Sequence, residues 1–175
     1  QAKALQEAIQ NKQAIETIRQ MSSSLRGTLL ALMPQSSLPD HLLPKARVEG
    51  LFESQCASCH GAAGGGDGVM AAQLEPAPTD FTSKERALNR SLLGLYDAIS
   101  NGIDDTAMPA FTQLTEEQRW SLAFHVGGLA FQSGSEDTGE APSVTLSQMV
   151  NHTPAQLAAE HPEMTQKGIE RLRAK

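Results

Sequence analysis

Apolar residues at Leu5, Ile9, Ile15, Ile18, Met21, Leu25, Leu29 and Leu32 recur mostly at three- and four-residue steps, with Gln, Lys, Glu and Ser between them. That period predicts amphipathic helix over residues 1–33, with Gly27 as the place where it divides. Pro34, Pro39 and Pro44 then mark a linker. A short helix is expected over 46–59, with Val48, Leu51 and Phe52 on one face. The run GAAGGGDG at 61–68 cannot hold regular structure, and 75–80 is extended because Pro76 and Pro78 disfavour helix at the residue before each. Thr82-x-x-Glu85 and Thr115-x-x-Gln118 read as capping boxes. The first opens a helix to about Ser100, closed by Asn101–Gly102. The second opens one to about Phe131, with Gly127–Gly128 in its last turn. Residues 132–142 are polar, acidic and Gly-rich, a flexible joint, and Thr153–Pro154–Ala155–Gln156 combines a cap, an N1 proline and an N3 Gln at the start of a C-terminal helix. No segment shows a convincing strand pattern and no repeat is visible. The expectation is an all-α chain in three parts: a helical extension and linker (1–45), a central domain (46–132), and a joint with a terminal helix (133–175).

Composition changes this picture in one respect. Of 175 residues only 39% are hydrophobic and 4% aromatic, a thin supply for a core of this size. Something besides side chains is expected to help fill it. No apolar run approaches the roughly 18–20 residues of a membrane span, and two cysteines exclude a disulfide framework. The chain opens on Gln1 with no charged and then apolar leader, so any signal peptide is expected to have been removed already. The net charge of −6 is unevenly spread. Residues 48–132 carry four basic side chains (Lys84, Arg86, Arg90, Arg119) against eleven acids, whereas residues 1–47 are net basic. An acidic body disfavours nucleic acid and favours basic partners or cations.

Cys56–Ala57–Ser58–Cys59–His60 carries the chemistry. This is CxxCH, the attachment signature of c-type haem. Two thiols at this spacing reach neighbouring vinyl groups and form thioethers, and the following His supplies the proximal nitrogen to the iron. The alternatives fit less well. A thioredoxin-like dithiol wants a βαβ context, and a zinc site wants two more ligands at matched spacing. For the sixth ligand Met108 suits best, because it lies between the two capped helices on a stretch that Pro109 stiffens; Met70 and His125 are its competitors. A His/Met pair raises the potential and leaves no open position, which favours electron transfer over catalysis. Pro76 is a candidate carbonyl acceptor for the His60 Nδ1–H, with Pro78 as its rival. Arg86, Arg90 and Trp120 are candidates for haem propionate contacts. The glycines of 61–68 are expected to wrap close to the porphyrin edge, and Phe52 to pack on the helix that carries Trp120 and Phe124.

Residues 48–131 resemble a class I cytochrome c in the order of these parts: an aromatic before CxxCH, a Gly-rich loop, a Pro-containing segment, a helix, a Met loop and a closing helix. The strings GLFESQCASCHGAAGGGDG, PAPTDFTSKERALNRSLLGLYDAISNGIDDTAMPAFTQLTEEQRWSLAFHVGGLA and VNHTPAQLAAEHPE further resemble the periplasmic cytochrome domain fused ahead of bacterial high-affinity iron permeases, the oxidase-dependent iron transporter family. The resemblance implies one covalent haem c and a class I cytochrome c fold. It also implies a periplasmic location, in keeping with the oxidising or maturation-competent compartment that haem attachment needs, and one-electron transfer coupled to Fe(II) oxidation and uptake by a membrane permease. Because this chain has no membrane spans, it would be a soluble fragment or a free-standing relative of that family, tethered to the inner membrane only in a longer parent. Fe²⁺ itself is a further expected partner, with Glu160–His161–Pro162–Glu163 as a carboxylate and imidazole set suited to iron. A generic electron carrier to a terminal oxidase or dehydrogenase is the alternative function. A haem peroxidase or gas sensor is a third, disfavoured because the Met loop offers no distal His or Arg; the expectation is no enzyme.

Overall fold

The computed structural model describes residues 1–32, 38–131, 144–162 and 166–174. The chain divides into two compact units, Gln1–Ser37 and Leu38–Lys175. The first unit is a pair of packed helices, α1 (Ala2–Gln10) and α2 (Ile15–Leu32). The break falls at 11–14 rather than at Gly27, through which α2 runs unbroken. Its reason is visible in the pattern, where the step from Ile9 to Ile15 is too long for one helical face. The Asn11 N–H closes α1 on Glu7 O and Lys12 turns the chain at φ 49°, a left-handed conformation that short polar segments tolerate at a helix end.

In the second unit all the regular structure of the described residues is helical, with no strand among them. Its elements are α3 (Lys45–Gln55), α4 (Ala57–His60), α5 (Lys84–Leu88), α6 (Leu92–Asn101) and α7 (Glu116–Gly128), then α8 (Leu146–Asn151), α9 (Pro154–Glu160) and α10 (Gln166–Ala174), with short 3-10 turns at Ala71–Gln73 and Leu129–Phe131. α6 packs along α7 and α3 crosses it. Val48 and Phe52 of α3, Leu92 and Ile99 of α6, and Leu122, Ala123 and Val126 of α7 bury together. The Ser121 hydroxyl ties the incoming chain to this core: it accepts from Leu43 N at 2.9 Å and donates to Glu117 O at 2.7 Å.

The capping chemistry explains where helices start and where the sequence misleads. Thr115 and Gln118 form the expected box, as do Thr153 and Gln156. The Thr82 box does not form, because Asp80 Oδ1 takes both the Thr82 hydroxyl (2.6 Å) and its N–H (2.7 Å). Ser83 caps α5 instead, and a second start follows at once, with Ser91 Oγ accepting from Gly94 N at 3.1 Å. The helix expected over 46–59 likewise parts at Cys56 (φ −121°). At the C-terminus three helices stand where one was expected: Thr145 and Gln148 form a further capping box that opens α8, and the chain leaves the helix at His161 (φ −123°), just before Pro162. The joint expected over 132–142 lies outside the described residues.

These C-terminal helices are packed. α8 lies on α6, and α10 on α7, on α9 and on the 129–131 turn, so that Val150, Leu157 and Ile169 have no exposed surface. Deleting a fully buried branched side chain costs about 2–5 kcal/mol. Leu157→Ala and Ile169→Ala are therefore expected to lower the melting temperature of the whole second unit in one transition. An α3–α7 core melting at the wild-type temperature in either variant would show that the C-terminal helices fold apart from it.

Candidate functional site

α4 is one turn long and does not stand by its own propensity. Its last carbonyls are closed by the glycine loop behind it: Gly66 N donates to His60 O (2.8 Å), Gly68 N to Cys59 O (3.1 Å) and Met70 N to Ser58 O (2.9 Å). The loop runs so close that a Cβ on Gly68 would lie 2.4 Å from Ser58 O, and one on Gly66, whose φ is +75°, 2.7 Å from Pro78 O. Phe81 N donates to Gly64 O at 2.7 Å, which pins the 76–81 segment to the same loop. The glycines thus serve backbone packing against α4 and residues 78–80. They are not among the walls of the cavity described below, contrary to the expectation that they wrap a porphyrin edge.

The buried His60 ring packs on the Phe81 ring at 4.6 Å. Its Nδ1 lies 3.0 Å from Thr79 O. Neither Pro76 nor Pro78 supplies that acceptor; the carbonyl that reaches the ring is the one just beyond Pro78, brought there by the Phe81–Gly64 bond. A carbonyl can only accept, so Nδ1 carries the proton and the lone pair stands on Nε2, the tautomer a metal-ligating imidazole needs.

A cavity of about 420 Å³ opens on this ring. Cys56, Cys59, His60, Pro76, Arg86, Arg90 and Met108 all stand on its walls, and the apolar lining comes from Phe52, Leu95, Ile99, Phe111, Leu122 and Val126. Met108 is held by a loop that closes on itself. α6 stops at Gly102, at φ +73°, where a Cβ would meet Met108 O at 2.8 Å. Ile103 N then donates to Met108 O (3.1 Å), and the Thr106 hydroxyl donates to Ile103 O (2.8 Å) while accepting from Met108 N (3.1 Å). The other sixth-ligand candidates, Met70 and His125, lie outside the walls. Trp120 is also outside them, and its buried indole N–H has no hydrogen-bond partner among the described residues. Leu122 and Val126 form the α7 stripe that faces the cavity, and Trp120, two residues before Leu122, points some 200° away round the helix. It is 1% exposed and stacks on Tyr96 at 4.1 Å.

His125 is half-buried against Phe52, ring to ring at 5.2 Å. Burial holds its pKa below the usual 6.5, with Glu49 opposing and Lys45 assisting. A histidine kept neutral in the fold but free to charge when unfolded costs stability as pH falls through 6.5. The protein is expected to lose stability on acidification below that value, and His125→Gln to flatten that part of the profile. An unchanged slope in the variant would remove His125 as the cause.

The Cys56 thiol is not poised for redox exchange. Burial, and then the neighbouring Cys59, push the Cys56 thiol up to about 11, opposite to the depressed value of a reactive dithiol. No group of three or more His, Cys, Asp or Glu among the described residues could hold a metal ion. Of the acidic set near the C-terminus, Glu160 Oε1 lies 3.3 Å from His152 Nε2, and Glu163 is outside the described residues.

An all-α domain with a CxxCH turn, a tautomer-fixed histidine and a methionine loop around one apolar cavity is the architecture of a c-type cytochrome. Residues 46–130 match the family model described as Cytochrome c. The cofactor is covalently bound haem c, and the residues fit it: thiols at attachment spacing, an apolar cavity and two guanidinium groups on its walls. No curated protein matches the chain. Among solved structures, one chain of the reducing HAO-like protein complex of Kuenenia stuttgartiensis is similar, at 27% identity and a TM-score of 0.45, over 62% of this chain and 54% of that one. This chain spans about half the length of that relative.

Proposed function

We propose that this protein is a periplasmic electron carrier, with His60 and Met108 as the axial ligands of its haem and no substrate turnover. The observation that carries the reading is the convergence of Cys56, Cys59, His60 and Met108 on one cavity. When bound, the haem supplies a one-electron couple. The chain's own residues keep its surroundings constant. The Thr79 carbonyl fixes the orientation and tautomer of His60. The Thr106 and Gly102 contacts hold the Met108 loop in one shape. Arg86 and Arg90 place positive charge beside the cavity, suited to carboxylates. A redox protein with a basic face is the partner that the acidic body favours.

Carbon monoxide tests the carrier reading against a ligand-binding one. The reduced protein is expected to bind it slowly or not at all at neutral pH; rapid binding would favour the sensor or peroxidase alternative. Coupling to iron uptake is a second reading, supported by the likeness of the haem-domain and 150–163 strings to the iron-permease cytochromes. Anaerobic Fe(II) added to the oxidised protein is expected to reduce it on that reading. A haem that stays oxidised leaves the generic carrier.

A further inference from the structure

α5 carries Arg86 to the cavity, yet it is only five residues long. A single turn is not stable alone, so its position is set by what it packs on. One of those supports is remote in sequence. Lys84 Nζ lies 2.7 Å from Glu170 Oε1 on α10, and the Glu170 side chain is only 17% exposed. α10 is itself firmly seated, with Ile169 fully buried and the Arg173 guanidinium donating to His152 O at 2.7 Å. From α5, Arg86 Nη2 reaches the Thr79 hydroxyl at 3.5 Å. The carbonyl of that same Thr79 accepts from His60. A continuous series of contacts therefore runs from the C-terminal helix to the proximal histidine.

We propose that Glu170 is a positioning residue for the haem potential: by holding Lys84 and α5 in place it keeps the Arg86 cation against Thr79, beside His60. The inference rests on His60 being the proximal ligand. The sign of the effect follows from electrostatics. A nearby cation disfavours the oxidised iron, which carries one more positive charge, and so raises the potential. Loss of the brace should therefore lower the potential. Removal of the Glu170 charge acting only through space would do the reverse, because a lost anion raises it.

The experiment is potentiometric titration of the haem-loaded protein and its variants Glu170→Gln, Arg86→Gln, the double variant, and the charge-swapped pair Lys84→Glu with Glu170→Lys. A downward shift is expected in Glu170→Gln, of the same sign as in Arg86→Gln. The double variant should fall no further than Arg86→Gln alone, because the two act in series. The swapped pair, which restores the contact with opposite charges, should recover most of the wild-type potential. An upward shift, no shift, or full additivity with Arg86→Gln would overturn the proposal. Failure of the underlying site is separately visible, as a wild-type protein lacking the low-spin c-type spectrum. Should Glu170→Gln load haem poorly, Lys84→Met tests the same brace: the lost Lys84 cation lowers the potential through space in either background, so the fall should be larger in the wild-type protein than after Arg86→Gln, and equal falls would overturn the proposal.

Discussion

Met108→Ala is expected to lower the midpoint potential and open the iron to exogenous ligands. The thioether is the feature of a His/Met site that raises its potential, and axial ligands command a range of about 0.8 V. The structure offers no ready replacement: Met70 and His125 are both outside the cavity, and Met70 is 44% exposed on the far loop. The variant should lose the far-red sulfur-to-iron band of the oxidised protein, and its reduced form should bind carbon monoxide readily. The backbone of the loop should persist, because Thr106 and Gly102 hold it through main-chain contacts rather than through the thioether. A variant with wild-type band and potential would show that another group ligates the iron.

Gly66→Ala is expected to destabilise the protein by about 2–4 kcal/mol. Two costs add. The residue sits at φ +75°, where a Cβ is strained, and that Cβ would be forced to 2.7 Å from Pro78 O and 3.2 Å from Asp80 N. Both neighbours are backbone and cannot swing aside. Displacing them moves Thr79, so the variant should also show a weakened hold on His60, read as a shifted ring resonance or a changed potential. Gly50→Ala is the matched control. Nothing lies within 4 Å of its Cβ position and it sits inside α3, so alanine there should be neutral or stabilising by up to about 1 kcal/mol. If Gly66→Ala unfolds within a few tenths of a kcal/mol of wild type, the close approach of the glycine loop is not real.

The legible parts were those written in short-range chemistry. CxxCH, the Thr115 and Thr153 capping boxes and the Gly102 stop each depend on residues within one or two turns of each other. Met108 was singled out by lying between two caps beside Pro109, and it stands on the wall of the cavity. What the sequence concealed depends on contacts across the fold. Thr79 became the histidine's acceptor only because Phe81 N is tied to Gly64 O, a pairing no local pattern announces. Trp120 was named by residue type, and only the fold shows that it stacks on Tyr96 rather than lining the cavity. The Thr82 box failed to a stronger local competitor, Asp80, whose carboxyl the two Thr82 hydrogen bonds hold below its usual range. The break after Ile9 was present in the spacing, whereas Gly27 is carried inside α2. Thr145-x-x-Gln148 was a readable signal as well, and it marks where the C-terminal helices begin.

The central claim is that Cys56, Cys59, His60 and Met108 hold one low-spin haem. The visible spectrum of the purified, haem-loaded protein, taken oxidised and reduced, tests it most directly. The account predicts sharp low-spin bands of a c-type cytochrome on reduction, with a far-red sulfur-to-iron band in the oxidised form that disappears in Met108→Ala. A high-spin oxidised spectrum without that band would contradict the His60/Met108 pair. Failure to take up haem at all, in material made with the maturation machinery, would contradict the account as a whole.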